Sequence, residues 1–454
     1  MPWSNVSERR WERPLDTLEM AFFLIAGGAS GGGQLTVFSR LKLTIDMPNS
    51  IDAESTLRQA WKQVRFQQPH LASTVDRDRK KFVYEVPDNN ALQEWLRETF
   101  IVSSAASAEE EYQSQVAMNS TSMRRPTLVY EPKSSELLFR GPHSTIDGIG
   151  LLLFWHYYLT AVVKPMAAED ILFGTEPSRL PPTKEELLGC PEELTLEQVN
   201  RMDELYTEFG RAFPGICPVS KGGKASAPGR CMNEEVVFSA RTTEAIVQGC
   251  KKKGISVTAA VQAARIMALV KSCDPKSNQS SYAVANNFNL RPYMPKPYNK
   301  YAVALYFTAY GFFTGLPTTF WDVAKELSTH YKRTFKDNPG NIRLAGHHFR
   351  RFFEVLGQAM SKAVPMTEPV MSSLGVVESF LQRSYSGPAG VHVELEDIKS
   401  GCDIRVTQGL FLICTFRDQL RLVHSFNEAL VDPATVRELL DEIKRILDDE
   451  ILSA

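Results

Sequence analysis

The chain has almost no net charge. Its 51 lysines and arginines stand against 53 aspartates and glutamates, a formal balance of −2 over 454 residues. That gives no electrostatic argument for nucleic acid or for an anionic membrane as partner. Cysteine is sparse and scattered: Cys190, Cys217, Cys231, Cys250, Cys273, Cys402 and Cys414 form no C-x-x-C pair, and their number is odd. The spacing and the odd count argue against a disulfide framework or a zinc site, and reduced thiols in a cytoplasmic protein are the expectation. No apolar run reaches the roughly 20 residues that cross a bilayer. The longest, residues 149–163, contains His156, Tyr157 and Tyr158 and reads as a buried helix. Residues 1–13 are polar and arginine-bearing, without the apolar core of a signal peptide, so neither secretion nor a membrane is expected. The triplet Asn119-Ser120-Thr121 has glycosylation spacing but carries no weight without secretion. The phosphate-cradling patterns G-x-x-x-x-G-K-S/T and G-x-G-x-x-G are both missing, which leaves nucleotide-fold enzymes without support.

What is present is an ordinary globular composition, 43% hydrophobic and 10% aromatic. At about 100–200 residues per domain this length predicts two to four domains. Strands are predicted at 18–26 and 34–44, flanking the glycine-rich turn 27–33. A helix is predicted over 51–66, with Leu57, Ala60, Trp61 and Val64 on one face. Strands at 81–85 and 135–140 precede an apolar helix at 147–163, which should be buried between layers. The elements make an α/β lobe over residues 1–174. Residues 175–232, with Pro181-Pro182, a charged helical stretch and a Gly/Ser/Lys-rich loop at 220–229, read as a surface connector. A second α/β lobe spans 233–454. It opens with a strand at 234–239, a helix at 242–253 stopped by Gly254, and a helix at 257–270 capped by Ser256. Strands follow at 282–290 and 302–311, then helices at 319–335 and 343–363. A hairpin of 403–416 and 420–426 turns at Arg417-Asp418-Gln419. The last helix begins with Asp432 as cap and Pro433 at its first position.

Chemistry is announced at one place. His143-Ser144-Thr145-Ile146-Asp147-Gly148 reads H-x-x-x-D-G where a strand gives way to the apolar helix. A histidine at such a junction is placed to take a proton from a substrate in a cleft. The plainer reading is a capped turn, with Asp147 as the helix N-cap.

This hexapeptide resembles the catalytic motif of the chloramphenicol acetyltransferase-like superfamily. That superfamily includes plant BAHD acyltransferases, peptide-synthetase condensation domains and fungal alcohol O-acetyltransferases. Gln67-Gln68-Pro69-His70-Leu71 is similar to the end of the family's early helix. The stretch from Cys250 through Gly254 to Ala260 is similar to the helix-turn-helix opening its second lobe. Asn287-Phe288-Asn289-Leu290-Arg291-Pro292 resembles the strand whose arginine reaches the motif aspartate, and Ser372-Ser373-Leu374-Gly375-Val376 resembles a stretch of the fungal members. Within that superfamily the chain resembles the trichothecene 15-O-acetyltransferase-like enzymes. Two departures matter. Condensation domains carry two adjacent histidines where this chain has Pro142-His143, and the D-F-G-W-G signature of plant enzymes is absent.

The resemblance implies an α/β fold of two chloramphenicol acetyltransferase-like lobes, each a mixed β-sheet with helices, and an active-site channel between them. It implies an acyl-CoA-dependent O-acyltransferase of secondary metabolism, acting as a monomer on a small-molecule alcohol, with acyl-CoA as co-substrate, no resident cofactor and no metal. His143 would be the general base, with no covalent acyl-enzyme. Asp147 would be structural and pair with Arg291, Gly148 would allow close approach of the helix, and Asn289 would be a polar anchor. On residue type alone, Asn289 and Arg291 read equally as an ordinary strand end. Lys251, Lys252 and Lys253 suit the phosphates of CoA, or else are a solvated helix end favoured by its dipole. Ser372 and Ser373 suit the donor or its oxyanion, or else bond their own backbone. Tyr306, with Phe307, Tyr310, Phe312 and Phe313, suits an apolar acceptor wall or ordinary core.

Two other signals are set aside. Gly28-Ala29-Ser30-Gly31-Gly32 matches G-x-S-x-G, but a nucleophile elbow needs a helix after its serine, and a strand is predicted there. His347-His348 lacks carboxylates at ligand spacing. Two further functions remain open from sequence: a condensation-like domain taking a carrier-protein donor, and a non-transferring relative that binds a hydrophobic metabolite and steers a cyclisation.

Overall fold

The computed structural model describes residues 2–27, 35–118, 123–213, 215–218, 229–272, 279–360 and 367–452. Ser30 and the glycines beside it, the triplet Asn119-Ser120-Thr121, Cys273, nearly all of the 220–229 loop and residues 361–363 lie outside them. The chain forms two compact α/β units. One comprises Met1–Leu187, Arg291–Tyr306 and Val377–Asp403, and the other Leu188–Leu290, Phe307–Val376 and Ile404–Ala454.

The first unit is built on a six-stranded mixed sheet. Its order is Ser384–Ser386, His392–Cys402, Thr36–Asp46, Glu136–Pro142, Thr127–Glu131, Phe100–Val102. Neighbours run antiparallel except the last pair, which is parallel. A four-stranded antiparallel sheet, Ser4–Ser7, Arg10–Pro14, Lys81–Glu85, Thr74–Asp76, completes the unit's strands. The helix Gly148–Val163 is apolar nearly all round and is buried along most of its length. Two of its polar edges are satisfied inside the protein: Trp155 Nε1 donates to Ser39 Oγ at 2.9 Å and Tyr158 OH to the Leu57 carbonyl at 3.0 Å. It packs on the helix Ala53–Gln67, whose Leu57, Ala60, Trp61 and Val64 are all buried, as their spacing predicts. Each large apolar side chain so buried contributes roughly 1.5–3 kcal/mol.

The second unit carries the other six-stranded sheet, in the order Phe307–Gly315, Ser281–Asn289, Val370–Val376, Leu410–Phe416, Gln419–Asn427, Cys231–Val237. Val370–Val376 runs parallel to both neighbours, and the remaining pairs are antiparallel. Helices Val257–Ser272, Phe320–Phe335 and Pro433–Leu447 close its core around Ile266, Leu327 and Leu440. Ser239 caps Ala240–Lys252, Gly254 follows with φ 70°, and Ser256 Oγ accepts the Ala259 N–H, so the predicted helix-turn-helix is present. Among the described residues no single helix is long and apolar enough to cross a membrane.

Several elements differ from the sequence expectation. Residues 18–26 are not a strand: Thr17–Ile25 is a helix. Asp16 accepts from the Leu18 and Glu19 N–H groups while the Glu19 carboxylate takes the Asp16 N–H, a reciprocal cap that fixes the first turn. The predicted strand 302–311 begins only at Phe307, and the one at 403–416 only at Leu410. His392–Cys402 has no predicted counterpart. A register shift between Leu395 and Asp397 moves its buried positions from Val393 and Leu395 to Ile398, which breaks the period of two. The stretch 175–232 is divided between the units rather than set apart from them. Lys184 is buried with Asp16 at 3.0 Å in the first. In the second, helix Leu196–Ala212 packs on Ala345–Met360 through buried Tyr206 and Phe209.

Candidate functional site

The strand Glu136–Pro142 delivers the motif. Its ladder with Thr36–Asp46 continues one step past its end, where the His143 N–H donates to the Leu35 carbonyl at 2.8 Å. The chain then turns, with the Thr145 N–H on the Pro142 carbonyl at 3.0 Å, and enters the helix at Gly148 with Asp147 as N-cap. Asp403 anchors this end of the sheet. Its carboxylate accepts from Arg140 Nη2 at 2.6 Å, from Tyr112 OH at 2.6 Å and from the Thr36 hydroxyl.

His143 is half-buried. Its ring lies against Phe22, with centroids 4.5 Å apart. Nδ1 is 3.1 Å from the Ile146 carbonyl oxygen. A carbonyl only accepts, so this contact puts the proton on Nδ1 and makes Nε2 the basic nitrogen. Burial is the largest influence on the imidazole and pushes its pKa below the usual 6.5, while the charge of Asp147 and the Ile146 carbonyl pull the other way. That downward shift favours the neutral form of the ring.

Asp147 is almost fully occupied by structural bonds. Oδ1 accepts the Gly150 N–H at 2.6 Å, Oδ2 accepts the Tyr306 N–H at 2.8 Å, and Arg291 Nη1 donates to both oxygens at 2.9 and 2.8 Å. Both partners are buried, with side chains 2% and 4% exposed for Arg291 and Asp147. Such a carboxylate has little capacity left for a proton relay. The rest of the guanidinium is held by backbone carbonyls, with Nε on Tyr301 at 2.9 Å and Nη2 on Ala304 at 3.2 Å. Gln68 braces the same segment, its Oε1 accepting from the Ala302 and Val303 N–H groups at 3.3 Å. Close approach of the helix is seen at Gly150, where a Cβ would stand 2.3 Å from the Ala302 carbonyl oxygen.

The structure thus brings His143, Asp147, Gly148, Arg291 and Tyr306 together in the first unit. Tyr306 is buried beside the Arg291 guanidinium, 5.4 Å from its ring, and its hydroxyl donates to the Pro182 carbonyl at 3.0 Å. It is a packed support rather than an open wall. The other candidates belong to the second unit. Asn289 is half-buried at a strand end opposite Phe307. Ser372 and Ser373 lie on Val370–Val376, and the Ser373 hydroxyl is 2.9 Å from that of Thr258. Lys251, Lys252 and Lys253 are exposed at the end of Ala240–Lys252, with Lys253 Nζ 5.1 Å over the Trp321 ring. His347 contacts the Pro191 carbonyl through Nε2 at 2.7 Å, and His348 packs on Tyr310.

Sequence reading missed Gly150 and Asp403, and it named Gln68 only as part of Gln67-Gln68-Pro69-His70-Leu71, without its bracing role. Gly148-Ile149-Gly150 was the available signal for the first, since two glycines opening an apolar helix cost stability unless one meets a close neighbour. Asp403 stands alone in the sequence, 263 positions from Arg140, and no local pattern marks it.

No family model matches the chain. It is similar over most of its length to curated fungal proteins. The acetyltransferase pigO of Monascus ruber is 27% identical over 464 residues, covering 99% of this chain and 98% of that protein. The O-acetyltransferase pigM of the same fungus is 27% identical over 413 residues, 88% of this chain and 77% of pigM. A protein of Epichloe uncinata called the loline biosynthesis cluster 1 transcription factor lolU1 is 26% identical, covering 99% and 96%. Among solved structures, the TRI3 trichothecene 15-O-acetyltransferase of Fusarium sporotrichioides superposes with a TM-score of 0.81 at 18% identity, covering 98% of this chain and 97% of TRI3. The EpoB peptide-synthetase cyclization-docking bidomain of Sorangium cellulosum shares the fold with a TM-score of 0.66 at 14% identity, over 96% and 83% of the two chains.

Proposed function

We propose that this chain, a homologue of fungal acetyltransferases with the chloramphenicol acetyltransferase-like fold, transfers an acetyl group from acetyl-CoA to a hydroxyl of a secondary metabolite, with His143 as the general base. The observation that carries the reading is the contact of His143 Nδ1 with the Ile146 carbonyl, which leaves Nε2 as the proton acceptor on a neutral ring.

In this mechanism the acceptor hydroxyl gives its proton to Nε2 as its oxygen attacks the thioester carbonyl carbon. The tetrahedral intermediate collapses with cleavage of the C–S bond. The imidazolium returns the proton to the departing sulfur, so the products are an ester and free CoA thiol. Such proton transfer is worth typically 10²–10⁴-fold in rate. Asp147 and Arg291 act only by holding the turn that aims the imidazole. Lys251, Lys252 and Lys253 are the proposed partners of the CoA phosphates, acting as point charges.

The test is calorimetric titration with acetyl-CoA, followed by thiol release in the presence of a panel of polycyclic alcohols. Saturable binding and acceptor-dependent thiol release are expected. No binding at millimolar donor, with no release, rejects acetyl-CoA as the donor and favours a carrier-protein donor or a non-transferring relative.

A further inference from the structure

The ring of Phe22 lies against the His143 imidazole with centroids 4.5 Å apart and planes 38° apart. That separation is at the short end of the roughly 4.5–7 Å over which aromatic rings attract one another. Two torsions orient the imidazole. The contact of Nδ1 with the Ile146 carbonyl oxygen, at 3.1 Å, holds one point of the ring. A ring held at one point still swings about it, and the flat face of Phe22 limits that swing.

Phe22 is itself firmly placed. It stands in the last turn of Thr17–Ile25, the helix that opens on the reciprocal Asp16–Glu19 cap. Arg13 grips the Glu19 carboxylate with both terminal nitrogens, at 2.9 and 2.8 Å, and both side chains are buried. The buried Lys184 Nζ pairs with Asp16 Oδ1 at 3.0 Å. Glu19 and Phe22 are three positions apart, about one turn of helix. Next to Phe22, Phe23 is buried with Leu15 and Phe82. The helix ends with the Ala26 N–H on the Phe22 carbonyl at 2.9 Å and with Gly27 at φ 88°. Both ends of the segment that carries Phe22 are thus fixed inside the first unit. Phe22 brings no charge to the imidazole; the charge acting on the ring is that of Asp147. A catalytic group needs such support, because it must be held within about 0.5 Å of its productive place.

We propose that Phe22 is a positioning residue: its ring backs the His143 imidazole, so that Nδ1 stays on the Ile146 carbonyl and Nε2 keeps the direction in which it takes the acceptor's proton. Its part in transfer rests on the acyl-transfer reading above, whereas the restraint on the ring does not.

The experiment compares the full chain as wild type, Phe22→Ala, Phe22→Leu and Phe22→Tyr. Nitrogen NMR of histidine-labelled protein at about pH 8, where the imidazole is neutral, reads which ring nitrogen of His143 bears the proton. The His143 signals are those missing from His143→Ala. The same samples give kcat, and KM for acetyl-CoA, with an acceptor taken from the thiol-release panel. The wild type is expected to hold the Nδ1–H form. In Phe22→Ala and Phe22→Leu that form loses population and kcat falls about 10–100-fold, the scale of a misplacement of about 1 Å. KM stays within about twofold, because the contact acts on the imidazole and not on the donor. Phe22→Leu keeps apolar bulk without the flat face, so it serves if Phe22→Ala melts early. Phe22→Tyr keeps the ring and restores the Nδ1–H form and the rate. The proposal is overturned if the wild type lacks the Nδ1–H form, if Phe22→Ala and Phe22→Leu hold it as the wild type does, whatever their rates, or if Phe22→Tyr behaves like Phe22→Leu. Loss of the Nδ1–H form in a protein that transfers no acyl group to any acceptor keeps the restraint and rejects the acyl-transfer reading.

Discussion

Arg291 reaches both oxygens of Asp147 through one nitrogen, at 2.9 and 2.8 Å, across 144 positions of sequence. The pair joins the motif turn to the Arg291–Tyr306 segment inside one unit. Removing one partner of a buried pair strands the other charge and costs about 3–5 kcal/mol. Asp147→Asn and Arg291→Met are each expected to lower stability by that amount in denaturant titrations. The double variant should cost clearly less than the sum, because the two act as one unit. Additive losses contradict the coupling.

Gly150→Ala places a Cβ 2.3 Å from the Ala302 carbonyl oxygen and 3.1 Å from Arg291 Nη2. Backbone must move, at a cost of about 1–3 kcal/mol. A lower melting temperature and reduced acetyl transfer are expected together, since the shifted helix start carries Asp147. Unchanged melting contradicts the close approach.

Asp403 gathers Arg140, Tyr112 and Thr36 at the sheet end that delivers His143. Asp403→Ala leaves the Arg140 guanidinium buried without its carboxylate, and a loss of about 3–5 kcal/mol is expected. Arg140→Met in the same background should recover part of it, and chemical denaturation reads both.

In the proposed mechanism, proton transfer to His143 requires the neutral ring. Burial holds its pKa below 6.5, so the rate is expected to be level from about pH 7 upward and to fall as pH drops through that lowered value. A kcat/KM that keeps climbing between about pH 7 and 9 identifies a different base.

The sequence carried the fold where local physics decides it. The Leu57, Ala60, Trp61, Val64 face, the Gly254 stop and the Asp432-Pro433 start all appear as predicted. The hairpin turn is formed by Arg417 and Asp418, both with positive φ. The Asp147–Arg291 pair was reached by resemblance, since nothing local links residues 144 positions apart. Thr17–Ile25 was misread because its apolar run hides helical period, although Asp16 and Glu19 spell out the cap. His392–Cys402 was hidden by its bulge, and the two units interleave because the Arg291–Tyr306 and Val377–Asp403 segments return to the first. Those returns depend on long-range pairing, such as His392–Cys402 with Thr36–Asp46, that no window of sequence displays.

The central claim is that His143 takes the acceptor's proton. The direct measurement is acetyl transfer from acetyl-CoA to an alcohol acceptor by the wild type and by His143→Ala, with acetyl-CoA affinity measured on the same samples. The account predicts a loss of at least about 100-fold in kcat with donor affinity within about twofold of the wild type, because the imidazole acts on the proton and not on CoA. Transfer by His143→Ala within about tenfold of the wild type contradicts it.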